Sequence, residues 1–327
     1  MTVCIYWSKT KPERRTRKMK KTLVTAYRQR ALICMALPAV ILVFMFAYVP
    51  LYGLIVAFKN FSFDLGIMGS EWNGLENFRY LIGMGEKSWR LVRNTMGYWA
   101  LNTITGMVAN LVLALALNEC RRKYFVKISH TIMIFPTFIS FVAITFMAYA
   151  ILKTDGGLMN QLLTFFGKEP ISWYKSAAYW PVILVVINLW KNTGYGCILY
   201  LSALAGMDQE IFEAAEIDGA SRMRQIWHIS IPQLMSMISI MLIMGVANVM
   251  KSNTGLHYLV TKNVSAIHST TQTIDAYVMD SLLGTGELSS KFGLQAAITF
   301  FQLIIGSSLV IITNLIVRKI EPANALF

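Results

Sequence analysis

Six stretches of the chain are apolar for long enough to cross a hydrocarbon layer, and polar intervals of unequal length separate them. The runs fall at about 31–58, 95–117, 129–152, 179–204, 233–250 and 293–317, each near or above the ~20 residues that span a bilayer as a helix. The pattern predicts an all-α polytopic membrane protein with six transmembrane helices. The first run has 28 residues, about 42 Å of helix at ~1.5 Å per residue. It is expected to tilt or to extend beyond the membrane, with Pro38 and Pro50 kinking it or ending its outer part. Its length also exceeds the ~7–15 apolar residues of a signal peptide, so it is expected to stay in the mature protein.

The polar intervals are more individual. The interval 60–93 mixes Trp72, Phe78 and Trp89 with charges of both signs and reads as an interfacial loop with short helices. The interval 251–290 is too polar to span, but Ile274, Tyr277, Val278, Ser281 and Leu282 recur at helical spacing around Asp275 and Asp280, which predicts a short amphipathic helix outside the membrane. Between the fourth and fifth runs, 206–232 is charged. Asp208 suits an N-cap, Phe212 and Ala215 stand at i and i+3, and Asp218-Gly219 suits a left-handed turn. A second short helix over 221–228 should then lead to Pro232 in the first turn of the next span.

Within the fourth run, Asn188, Lys191, Asn192 and Tyr195 recur at i, i+3, i+4 and i+7, a polar stripe on an otherwise apolar helix. An ammonium near the bilayer centre costs about 2.5–3.5 kcal/mol on insertion scales, so Lys191 must face a partner or a water-filled path. Two readings stand: the stripe lines a translocation route, or Lys191 bonds helix-end carbonyls or an acid and locks the packing. Asn248 and Lys251 by the fifth run, and Asn102 and Asn110 in the second, are either path residues or interhelical glue.

Composition agrees with a bilayer as solvent: 55% of residues are hydrophobic and 14% charged. The net charge of +13 raises nucleic acid as a partner, but ten of the thirty Lys and Arg residues lie in the first thirty positions, directly before an apolar run. That is a topology signal. With those in 121–127, Arg222, Arg224, Arg318 and Lys319, eighteen of the thirty fall on one side of a six-span path, which places both termini and the charged loop in the cytoplasm. The expected domains are a basic cytoplasmic tail at 1–30, a permease domain at 31–320 containing the loop 206–232, and a short cytoplasmic tail at 321–327. The four Cys, the four His and the Met-rich fifth run show no metal-ligand spacing.

The loop spelling Glu213-Ala214-Ala215, three residues, Gly219, nine residues, then Ile229-Ser230-Ile231-Pro232 resembles the EAA loop of the membrane-spanning subunits of bacterial ABC importers, which usually have Leu where Ile231 stands. The resemblance implies a cytoplasmic coupling helix that docks in a cleft of an ATPase, through Glu213, Ala214, Ala215 and Gly219; Asp218 at the turn and Arg222, whose charge can set the register, are expected to take part in the coupling. From 50 to 315 the chain resembles the sugar branch, and more narrowly permeases for oligosaccharides released from plant or algal polymers, with Arg93-Asn94-Thr95, Phe135-Pro136-x-x-Ile139-Ser140 and Trp190-Lys191-x-x-Gly194-x-Gly196 as secondary motifs. It implies as partners a second permease chain, two ATPase subunits binding ATP and Mg, an external solute-binding protein and an oligosaccharide, in a bacterial cytoplasmic membrane. The route would hold Asn188, Lys191, Asn192, Tyr195 and Asn248, and a basic path would suit a uronate-containing sugar from alginate or pectin.

The chain carries no Gly-x-x-x-x-Gly-Lys-Ser/Thr phosphate loop, so ATP hydrolysis is expected in a separate chain, with no cofactor in this one. Two alternatives belong to other classes. An ion-coupled secondary transporter would need carboxylates within the spans, and none is convincingly placed. An intramembrane enzyme would need a paired nucleophile and base, and none is found.

Overall fold

The computed structural model describes residues 29–120, 122–283 and 292–320; nearly all of the basic tail at 1–30, and the tail at 321–327, lie outside them. The chain divides into two compact units, 1–55 and 56–327. In the first, α1 (Arg30–Val43) contains Pro38 without ending, then passes through a π-helical turn at Phe44–Tyr48. The widened turn has a cause. Pro50 offers no N–H to the Phe46 carbonyl four residues back, and its ring would collide with that carbonyl in a regular helix. The chain continues as a 3₁₀ helix, Val49–Phe58.

The second unit opens with an antiparallel pair of two-residue strands, β1 (Lys59–Asn60) and β2 (Glu71–Trp72), with α2 (Gly66–Gly69) between them. α3 (Glu76–Gly83) follows. Short helices match the expectation for 60–93; the strand pair is new, because two residues per strand are too few to show alternation. α4 (Glu86–Asn118) carries the second span and begins nine residues before the apolar run.

The third run departs from a single helix. α5 (Lys123–Ile134) ends in a 3₁₀ turn, Phe135–Phe138, and α6 (Phe141–Leu152) sets off after a bend of 97°. Pro136 stops regular bonding at the turn, and Ser140, extended at ψ 150°, starts α6 by accepting the Ala143 N–H at 3.2 Å. Five helices among the described residues are long and apolar enough to cross a membrane, and this bent pair makes the sixth candidate.

After α7 (Leu158–Phe165), α8 (Trp180–Ala205) carries the fourth span and packs along α4. The loop then holds α9 (Gln209–Ile217) and α10 (Arg222–Gln225). The helix expected over 221–228 is not separate: α10 passes through a π turn at Ile226–Ser230 into α11 (Ile231–Val246), one run from Arg222 to Val246. The Pro50 logic repeats, since Pro232 faces the His228 carbonyl four residues back.

On the far side, α12 (His268–Thr271) and α13 (Ile274–Leu283) precede α14 (Phe292–Ile320). α13 is the helix that the spacing around Asp275 predicts. Arg93, Asn94 and Thr95 explain themselves here. The Arg93 guanidinium donates to the Ser269 carbonyl at 3.0 Å, the Asn94 amide to the Gln272 carbonyl at 3.0 Å, and the Ile274 N–H to the Thr95 hydroxyl at 2.9 Å. The motif staples the segment 269–274 to the start of α4.

Candidate functional site

Two places carry chemistry: the loop after α8 and a polar cavity within the bundle. The loop begins with Asp208, whose carboxylate accepts the Glu210 N–H at 3.0 Å and caps α9. α9 ends where the N–H of Gly219 reaches the Glu216 carbonyl at 3.0 Å and that of Ala220 reaches the Ala215 carbonyl at 2.9 Å. This double bond is a Schellman end, which needs a left-handed residue. Gly219 supplies it at φ +74°.

α9 is presented outward. Glu213, Ala214, Glu216, Asp218, Gly219 and Arg222 are exposed and Ala215 is half-buried, and Ile217 is 87% exposed. Arg222 forms an ion pair with Glu216 across the Gly219 turn. Gln225, which the sequence did not single out, is buried, and its amide donates to the Ala220 carbonyl at 3.2 Å from beneath the turn. α9 thus leaves charged side chains and the apolar Ile217 uncovered by this chain.

The cavity, about 230 Å³, lies between α4, α8 and α11, about halfway along α4. Four asparagines line it, Asn102 and Asn110 from α4 and Asn188 and Asn192 from α8, with Thr103, Thr193 and Tyr200. The side-chain oxygens of Asn102 and Asn110 are buried without a hydrogen-bond partner among the described residues. Buried amide oxygens are normally paired, so these two are unsatisfied groups within the packing of the spans.

The polar stripe of the fourth span is thereby divided. Asn188 and Asn192 face the cavity, but Lys191 does not. Its ammonium is buried and donates to the carbonyls of Pro136 at 3.3 Å, Thr137 at 3.0 Å and Ile139, with the Phe141 ring 4.9 Å away. These contacts are those of the second reading of the stripe, in which Lys191 bonds helix-end carbonyls. α5 stops at Pro136 and leaves carbonyls without helical N–H partners. The negative end of that helix favours a cation, and an ammonium has three donors for three acceptors. Thr137 answers by donating to the Lys191 carbonyl at 2.9 Å. Gly194 makes the approach possible: a Cβ there would lie 1.9 Å from the Met133 carbonyl oxygen. Tyr195 is exposed, and Asn248 donates to the Met244 carbonyl at 3.1 Å on its own stretch; neither lines the cavity.

Five helices long and apolar enough to cross a membrane, with a bent pair as a sixth candidate among the described residues, define a polytopic α-helical membrane protein. Residues 102–324 match the family described as the inner membrane component of binding-protein-dependent transport systems, and the chain belongs to that family. It is 32% identical over 302 residues, 92% of each chain, to the polygalacturonan/rhamnogalacturonan transport system permease protein YteP of Bacillus subtilis (strain 168). Its fold resembles a crystal structure of a bacterial ABC transporter involved in import of the acidic polysaccharide alginate, with a TM-score of 0.81 at 24% identity over 92% of this chain and 99% of that one. A bacterial alginate ABC transporter in complex with an alginate pentasaccharide-bound periplasmic protein gives 0.79 at 25% identity, over 90% and 96%. The chain is therefore an ABC permease subunit and not an enzyme. ATP hydrolysis belongs to a separate ATPase, and the ion-coupled alternative has no support.

Proposed function

We propose that this permease imports an acidic oligosaccharide, of the kind released from pectin or alginate, through the amide-lined cavity between α4, α8 and α11. The observation that carries the reading is the convergence of four asparagines, Asn102 and Asn110 from α4 and Asn188 and Asn192 from α8, on one cavity between otherwise apolar spans. An amide offers two donors and an acceptor, which suits the vicinal hydroxyls of a pyranose. The acidic character of the cargo is supported by relatives named for polygalacturonan, rhamnogalacturonan and alginate. The machine comprises a second permease chain, two ATPases holding ATP and Mg, and an external binding protein. Both termini and α9 face the cytoplasm, with Glu213, Ala214, Ala215, Asp218, Gly219 and Arg222 against the ATPase. ATP-driven closure of the ATPases moves the α9 helices, and the spans reorient around the sugar.

The test is uptake by the complete importer, with its binding protein, in proteoliposomes. Vanadate-sensitive uptake of galacturonate or mannuronate trimers is expected, and Asn110→Leu should reduce it at least tenfold while the complex assembles normally. Uptake of neutral trimers alone would overturn the acidic cargo. Wild-type uptake by Asn110→Leu would remove the cavity from the route.

A further inference from the structure

The end of the bundle opposite the coupling loop holds a second polar cavity. It sits where α8 begins: the Tyr174 ring lies 5.0 Å from that of Trp180 and 5.9 Å from that of Tyr149, and the Tyr174 hydroxyl donates to the Val260 carbonyl at 3.4 Å. The cavity, about 320 Å³, is lined by Tyr149, Lys153, Thr154, Asp155, Tyr174 and Lys262 among others. That volume falls in the ~300–1,000 Å³ range of small-molecule sites.

Two observations bear on its cations. Neither Lys153 nor Lys262 forms an ion pair among the described residues, although Asp155 shares the lining. Lys262 is also held in a costly conformation. With Asn263 it makes two consecutive left-handed residues, at φ +53° and +48°, the only such positions outside glycine among the described residues. A left-handed residue with a Cβ costs about 1–2 kcal/mol, and such strain gathers at ligand clamps. The neighbours enforce it: Asn263 donates to Asp280, accepts from His268 at 3.0 Å, and sends its backbone N–H to the Tyr258 carbonyl at 3.1 Å. The result is an ammonium fixed 3.9 Å from the centre of the Tyr149 ring.

Two acids of this end are hydrogen-bonded. Asp280 accepts from Asn263, and Asp275 accepts from Ser252 and Gln302. The first turns of α4 add Lys87, Arg90 and Arg93 against Glu86. A mouth with this excess of cations raises the local concentration of anions.

We propose that this cavity is an outer subsite for one uronate unit of the cargo, with Lys262 and Lys153 taking its carboxylate and Tyr149 and Tyr174 flanking its ring. An ammonium–carboxylate hydrogen bond is charge-assisted and stronger than a neutral one, and tyrosine offers an apolar face beside a hydroxyl. The inference rests on the acidic-oligosaccharide reading.

The test compares the wild-type importer with Lys153→Met/Lys262→Met, each reconstituted with its binding protein, using trigalacturonate and its methyl ester. The double variant should transport the acid about tenfold more slowly and the ester at the wild-type rate, and Lys153→Arg/Lys262→Arg should recover most of the acid rate. Wild-type transport of the acid by the double variant would overturn the subsite while leaving the acidic cargo in place. Equal losses for acid and ester, with weaker stimulation of ATP hydrolysis by the binding protein, would overturn it in favour of a docking contact with that protein. A wild-type importer that takes the ester and refuses the acid would overturn both readings.

Discussion

The coupling loop and the break at Pro136 are both interruptions of helix with a proline and a cation nearby, yet they satisfy their backbones in opposite ways. In the loop every partner is local: Asp208 reaches Glu210, Gly219 and Ala220 close back on α9, and Gln225 reaches Ala220. At the break, the carbonyls of Pro136, Thr137 and Ile139 turn to Lys191, 52 to 55 residues further along the chain. Arg222 faces out and pairs with Glu216 of its own loop, whereas Lys191 faces in and is consumed by the fold. A charge in an apolar run is thus read correctly only when the orphaned groups of neighbouring helices are counted with it.

The largest break of this comparison is Lys191→Met. Removing the ammonium strands three buried carbonyls, each worth about 1–3 kcal/mol when unsatisfied, so a loss of at least about 3 kcal/mol is expected. The variant should melt many degrees earlier in detergent and assemble poorly. A stable, fully assembled variant that fails only in transport would return Lys191 to the route.

Gly194→Ala attacks the same junction by volume. The added methyl would fall 1.9 Å from the Met133 carbonyl oxygen, so α8 and α5 must separate at a cost of about 1–3 kcal/mol. Thermal melting of the assembled complex checks this, and a melting temperature within error of wild type would mean that α8 does not rest on the break.

The contrast also explains what was legible in the sequence. The loop could be read because its caps and turn use Asp208, Asp218 and Gly219 at fixed short offsets, and α13 because its periodicity lies within ten residues. Continuity of the third run could not be read, because an apolar run with one proline is equally compatible with a kink and with a 97° break. What decides is the long-range Lys191 cap. The cavity was half visible: Asn102, Asn110, Asn188 and Asn192 stand out as polar residues in spans, but their convergence, and the exclusion of Lys191, Tyr195 and Asn248, depend on how α4, α8 and α11 rotate against one another. The tie between Gln225 and Ala220 left no signal, since a glutamine before an apolar run looks like any polar flank.

On the loop side, Gly219→Asp should cost less than the changes at the break. No other group lies within 4 Å of a Cβ built on Gly219, so the penalty is the left-handed backbone alone, about 1–2 kcal/mol. The spans should assemble normally, and stimulation of ATP hydrolysis by the binding protein should fall severalfold. Normal stimulation with normal uptake would leave the loop as a plain connector.

The finest test separates Arg222's partner within the chain from its partner outside it. The Arg222–Glu216 pair is about half exposed, with side-chain accessibilities of 51% and 53%, and exposed pairs contribute about 0–1 kcal/mol, screened by salt. Glu216→Gln and Arg222→Gln should therefore each change stability by less than about 1 kcal/mol, and a double-mutant cycle should find coupling no larger. Their effects on transport should differ if Arg222 also meets the ATPase: Arg222→Gln should weaken ATPase association more than Glu216→Gln, most visibly at low ionic strength. Equal effects would confine Arg222 to its intraloop pair. A coupling energy above about 2 kcal/mol would mean that the ion pair holds the turn as firmly as Lys191 holds the break, and the contrast between an outward and an inward cation would no longer describe this molecule.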